Sequence, residues 1–259
     1  MLKNLIFFVF ILSFLSAGCS TAVKINGITQ VSTIDALLVG VYDGHMDLKE
    51  LRNYGDFGIG TFEGLDGEMI LLNGKFYKVR ADGKIYRPRL YEKTPFACVT
   101  KFTPDYSEAI SGPVNFKALE EKINSVVPYQ NRFCAFILHG DFNRVQTRSV
   151  SAQKKPYPAL KEVIKNQPVF ELLNVRGSLI GFRSPDFIKG LNVPGYHIHF
   201  VTDDFLAGGH VLEFEATKGT LKIDTVHDWI SIYLPADNQC FNEADLKTDR
   251  AEELDSVEK

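Results

Sequence analysis

The chain has only four cysteines in 259 residues, at wide spacing. Cys19 lies in an N-terminal export segment, which leaves Cys98, Cys134 and Cys240. An odd number this far apart is no disulfide framework. Cys98 in "PFACVTKF" and Cys134 in "RFCAFIL" sit in strand-like apolar runs and read as small buried hydrophobes. Excess charge is missing too. Lys and Arg number 29 against 32 Asp and Glu, a formal net charge of -3, so the composition offers nothing to nucleic acid or to an acidic membrane surface. There are 20 phenylalanines, but they stand singly in apolar runs and are not interleaved with Lys and Arg as a base-stacking surface requires. They read as core. The longest apolar run, Leu5 to Leu15, is too short for a comfortable membrane span. What remains is ordinary for a soluble globular protein: 45% hydrophobic, 24% charged, and long enough for one large domain or two small ones.

The N-terminus reads as a targeting segment. In "MLKNLIFFVFILSFLSAGC" a basic Lys3 precedes the apolar run and small residues follow it, the pattern of a secretory signal. The run ends in Ser16-Ala17-Gly18-Cys19, which resembles a bacterial lipobox with Ser16 where leucine is usual. Residues 1–18 are therefore expected to be a signal peptide, and Cys19 a lipidation site tethering an exported protein to a membrane. A plain cleaved signal, giving a periplasmic or secreted protein, is the alternative. Residues 19–31 read as a linker.

Further along, Ser32 and Asp35 open "STIDALLVGVY" in a capping-box arrangement and predict a short helix. "GEMILLNGKFYKVRADGKIYRP" alternates apolar runs with Asn73-Gly74 and Asp82-Gly83, predicting a three-stranded meander with type I′ turns. "FKALEEKINSVV" and "YPALKEVIKNQ" read as helices. "RFCAFILHGDFNRVQTRSV" is expected to be two strands turning at Gly140-Asp141, and "VFELLNVRGSLIGFRS" two strands around a glycine turn. The fold class is α+β: two domains built on mixed and antiparallel sheets with few helices. The expected divisions are a sheet subdomain over 32–150, a histidine-bearing subdomain over 151–241, and a polar tail over 242–259. On composition alone that tail is a solvated helix or a frayed end.

Three of the six histidines fall in "GYHIHFVTDDFLAGGHVLEF". On a strand, residues i and i+2 share a face, so His197 and His199 present two imidazoles side by side. "TDDFLAGG" lets the chain turn back, and His210 then begins a second strand antiparallel to the first. Three imidazoles converging on a β-hairpin match a three-histidine zinc site with an open fourth position. Imidazole also suits copper, iron and nickel, so residue type does not fix the metal. His45, His139 and His227 are isolated and read as structural or exposed.

"YGDFGIGTFEGLDGEMI", "INSVVPYQNRFCAFILHGDFNRVQTRSV", "NVRGSLIGF" and "GYHIHF…GGHVLEF", in this order, resemble the alpha-acetolactate decarboxylase family. The resemblance runs from about residue 32 to the C-terminus. It implies a zinc enzyme, commonly dimeric, that converts 2-acetolactate to acetoin and carbon dioxide. By position it puts the zinc ligands on His197, His199 and His210. Its catalytic glutamate in "LDGE" falls on Glu68, its threonine in "GTF" on Thr61, and its arginine in "VQTR" on Arg148. A second glutamate, from a tail that folds over the active site, falls on Glu258, with Glu252 and Glu253 as rivals. Two other readings compete. A cupin-like metal oxygenase or isomerase also uses two histidines one residue apart, and Asp203 lies where its carboxylate would fall. A lipid-anchored metal-binding protein without catalysis is the other.

Overall fold

The computed structural model describes residues 27–225 and 228–258. The proposed signal peptide, Cys19, residues 19–26 of the expected linker and His227 lie outside the described residues, while residues 27–31 of that linker form a buried strand instead. Strands dominate. The first half carries β1 (Gly27–Val31), β2 (Met46–Asp47), β3 (Phe57–Thr61), β4 (Glu68–Leu72), β5 (Lys75–Val79), β6 (Ile85–Tyr86), β7 (Lys93–Thr94) and β8 (Ala97–Thr100). The second carries β9 (Tyr106–Asn115), β10 (Cys134–Arg148), β11 (Val169–Ser184), β12 (Gly195–Thr202), β13 (Gly208–Asp224) and β14 (Trp229–Tyr233). Helices are short: α1 (Ile34–Leu38), α2 (Leu48–Leu51), α3 (Phe116–Val126), α4 (Leu160–Val163), α5 (Gln239–Glu243) and α6 (Ala251–Glu258).

Two sheets result. One has seven strands in the order β14-β1-β8-β3-β4-β5-β6, the other five in the order β10-β11-β12-β13-β9, with β10 also paired to β13. The expected α+β class with mixed and antiparallel sheets is what the chain forms; β1 and β14 make the parallel pair. The division between the sheets does not coincide with residue 150. β9 and α3 already belong with the second sheet, and β14 returns to the first. Ile59, Ile70 and Tyr77 from the first sheet meet Ala135, Ile180 and Val201 from the second in one buried cluster, so the sheets pack against each other. α3 covers the other face of the five-stranded sheet through Leu119 and Ile123. α1, α4 and α6 join around Ile34, Leu38, Leu160, Leu254 and Val257 in a separate cluster that roofs the functional cavity.

The meander forms as β4-β5-β6. Asn73 and Gly74 both have positive φ, as a type I′ turn requires. At the second turn only Gly83 is positive, and Arg80 both accepts from Gly83 N and donates to Lys84 O; this turn is not type I′. The helix at Ile34 is capped by Thr33, whose hydroxyl accepts from Ala36 N at 3.2 Å, rather than by Ser32. Two expected turns are absent. β10 runs unbroken through Gly140-Asp141, and β11 runs unbroken through Gly177. Gly140 pairs with Gly177 on one side and Gly219 on the other, one row across three strands. A Cβ at Gly140 would lie 2.1 Å from the Lys218 carbonyl oxygen, so glycine here permits close strand approach instead of a reversal. The polar tail is not frayed. It ends in α6, with Leu254 and Val257 buried one helical turn apart.

Candidate active site

The histidines sit as strand alternation demands. His197 and His199 lie on one face of β12, and His199 pairs in register with His210 at the start of β13. The turn between them closes with Thr202 N donating to Ala207 O at 3.0 Å. One ring nitrogen of each histidine lies within 4.8 Å of the others. Burial pushes the His197 imidazole down to about 3, with the Arg148 charge adding to the shift. Burial likewise holds His199 and His210 well below the ordinary range. All three are thus neutral, the form that binds a cation. His199 Nδ1 donates to the Met69 carbonyl at 2.9 Å, which fixes the tautomer and leaves Nε2 as a bare lone pair. That Nε2 is buried and has no hydrogen-bond partner.

Glu68 opens β4 straight after the turn at Gly67, whose φ of +94 and approach to the Val79 carbonyl leave no space for a side chain. Thr61, opposite Glu68 in register, donates from Oγ1 to the Gly67 carbonyl at 2.9 Å. Its hydroxyl is therefore committed to holding that turn. Glu68 Oε2 lies 3.6 Å from His199 Nε2. Desolvation raises the Glu68 carboxyl to about 8; Glu258 adds to this and Arg148 opposes it.

Glu258 comes from the last turn of α6. Its Oε2 lies 3.6 Å from His197 Nε2 and 3.8 Å from His210 Nε2, is buried, and has no hydrogen-bond partner. The Glu258 carbonyl is 3.4 Å from His210 Nε2. Burial raises this carboxyl as well, against the lowering pull of Arg148. A carboxylate at a helix C-terminus runs against the helix dipole, so its placement rests on the buried Leu254 and Val257. The rivals are elsewhere: Glu252 is exposed, and Glu253 faces Arg250 at 3.5 Å.

Arg148 ends β10 beside His210, is 4% exposed, and lines the same cavity. Its Nη1 donates to Gln167 Oε1 at 3.0 Å, and its Nε is buried without a partner. The cavity is small, about 50 Å³, with Glu68, Arg148, Glu258 and the three histidines against an apolar wall that includes Ile34, Leu37, Leu65 and Phe96. All seven residues singled out in the sequence line it. Three neutral imidazoles flanked by two carboxyls, with orphaned atoms at His199 Nε2 and Glu258 Oε2, fit a divalent cation.

The other described histidines are remote from this cluster. His45 faces Asp237 at 3.5 Å, and His139 contacts Ser178 at 3.1 Å. Asp203, where a cupin-like reading puts its carboxylate, ion-pairs with Arg176 at 3.3 Å in the hairpin turn and does not line the cavity. Sequence reasoning missed Gln167, the Met69 carbonyl and the tail anchors. Only the anchors carried a signal, in the i, i+3 spacing of Leu254 and Val257.

A family model for alpha-acetolactate decarboxylase matches residues 28–248. An alpha-acetolactate decarboxylase from Methanosarcina mazei is 45% identical over 230 residues, covering 89% of this chain and 79% of that protein. The one from Bacillus subtilis is 40% identical over 234 residues, covering 90% of this chain and 91% of its own. A crystal structure of the Bacillus subtilis protein superimposes with a TM-score of 0.86, over 90% of this chain and 99% of that one.

Proposed function

The chain belongs to the alpha-acetolactate decarboxylase family, and we propose that it converts 2-acetolactate to acetoin and carbon dioxide with a zinc ion held by His197, His199 and His210. The observation that carries this reading is Arg148. A guanidinium 4% exposed, with no carboxylate within ion-pair distance among the described residues, faces the same cavity as three neutral imidazoles and two buried carboxyls. That arrangement holds a positive charge ready for an anionic substrate. A metal carrier without turnover has no use for it.

Acetolactate is a β-keto acid with a hydroxyl on the carbon that bears the carboxylate. Breaking the bond to carbon dioxide sends its electron pair toward the ketone oxygen, and the barrier is the negative charge gathering there. His197, His199 and His210 would hold a divalent ion, which when bound would supply Lewis-acid stabilisation of that charge, undiminished by neutral ligands. Arg148 matches the substrate carboxylate in shape and charge and orients the bond to be broken. The resulting enediolate must take a proton on carbon. Glu68 and Glu258 are the two carboxyls in the cavity, and burial keeps a proton on such groups closer to neutral pH. We assign Glu68 to the proton side, because the turn held by Thr61 fixes its position. The apolar wall and α6 limit water around the enediolate.

The lipobox-like Ser16-Ala17-Gly18-Cys19 supports export with a lipid tether at Cys19, and the family resemblance supports a homodimer. The test of function is reconstitution. Protein stripped by a chelator should form acetoin from racemic 2-acetolactate no faster than buffer alone, and about one equivalent of zinc per chain should restore turnover. Full catalysed acetoin production by the stripped protein would show that the reaction needs no metal.

A further inference from the structure

We infer that Gln167 is a positioning residue for substrate recognition: its side-chain carbonyl aims the Arg148 guanidinium while leaving the guanidinium charge free for the substrate carboxylate. The inference rests on the reading of Arg148 as the carboxylate holder. Arg148 Nη1 donates to Gln167 Oε1 at 3.0 Å, and no other hydrogen bond of the Arg148 side chain is found among the described residues. An arginine this buried ordinarily has a carboxylate partner, because an unpaired buried charge is costly. Here the partner is a neutral amide. Glu68 and Glu258 act on the same field, but neither lies within ion-pair distance of the guanidinium.

The placement of Gln167 is itself fixed. It ends the short 3-10 turn Ile164–Asn166 that follows α4, and its N donates to Ile164 O at 3.1 Å. Pro168 comes next, and a residue before proline is held extended; Gln167 has φ -69 and ψ 136. Ser149 N, next to Arg148, donates to the Pro168 carbonyl at 3.3 Å, so the backbones that carry the two side chains are tied together. Leu160 and Ile164, in the segment leading to Gln167, line the cavity. Gln167 therefore touches no reacting atom, yet sets the direction of the group that does.

Two substitutions separate direction from charge. Gln167→Met keeps length and removes the acceptor. Gln167→Glu keeps the acceptor and makes it an anion that pairs with Arg148. In the zinc-loaded enzyme both should raise KM for 2-acetolactate, Gln167→Glu by roughly tenfold or more, the scale of one hydrogen bond to a charged group. The bound zinc and Tm should stay near wild type, and KM should change more than the turnover number. Acetoin has the ketone and hydroxyl but no carboxylate, so its inhibition constant as a competing product should not move. Arg148→Lys is run alongside. If it leaves KM unchanged, the carboxylate reading of Arg148 fails, and this inference with it. If it raises KM while Gln167→Glu keeps the wild-type value, Arg148 stands and the role given to Gln167 is overturned. If Gln167→Glu weakens acetoin and acetolactate equally, or lowers Tm markedly, Gln167 supports the cavity wall instead.

Discussion

The C-terminal helix should be separable from the body of the protein, and Leu254 and Val257 are where to cut it loose. Both are buried, at 5% and 3% exposure, in the cluster that holds α1 and α4. Leu254→Ala removes three carbons and Val257→Ala two. At about 0.8 kcal/mol per buried carbon the double variant loses about 4 kcal/mol of docking energy, roughly a thousandfold in the ratio of docked to undocked helix. Eight residues cannot hold a helix alone in water, and ordering each backbone residue costs about 1 kcal/mol or more. The docked state therefore has little to spare, and α6 should be released as a local unit while the sheets stay folded. The assay is kcat/KM for acetoin formation together with bound zinc and Tm, compared with a truncation after Asp249. The double variant should fall to the activity of the truncation and keep its zinc and most of its Tm. Wild-type turnover in the double variant, or in the truncation, would refute the view that α6 completes the site.

Other outcomes follow from the same geometry. Glu258→Gln should reproduce most of the truncation's loss with α6 still docked, whereas Glu252→Gln and Glu253→Gln should be mild; activity assays on the three compare a buried carboxyl with two outside the cavity. His199→Ala should lose most of its zinc and essentially all turnover, and full zinc occupancy by metal analysis would dismiss the site assignment. Glu68→Gln keeps the shape of the side chain, so it should retain zinc while turnover drops by roughly 10²-fold or more. Mass spectrometry of the mature protein should find its N-terminus at Cys19 carrying acyl groups, and an N-terminus without lipid would make this an ordinary exported enzyme.

The histidine hairpin was legible because strand alternation is a strict geometric rule: once His197 and His199 stand two apart, they share a face. Glu68, Arg148 and Thr61 were placed through family resemblance. Nothing in the periodicity says that the end of β10 and the start of β4 open onto one cavity, since that depends on how two sheets pack. Gly140 and Gly177 misled because a glycine in a strand serves either a reversal or a close backbone approach, and the sequence around it does not distinguish the two. The composition of the tail misled in the other direction, where the family resemblance had it folding over the site. Its charge count hid two apolar residues at helical spacing, and those two residues dock it. Gln167 had no local signature at all; its role exists only through a contact 19 residues away along the chain.

Decarboxylation without oxidation has a direct signature in the product stoichiometry. Zinc-loaded protein is given racemic 2-acetolactate in a sealed cell, and acetoin, carbon dioxide and dissolved oxygen are followed together. Acetoin and carbon dioxide should form in equal amounts, far above the spontaneous rate, with no oxygen consumed. Acetoin at the spontaneous rate only would rule out catalysis by this protein, and turnover that draws on oxygen would make it an oxygenase instead.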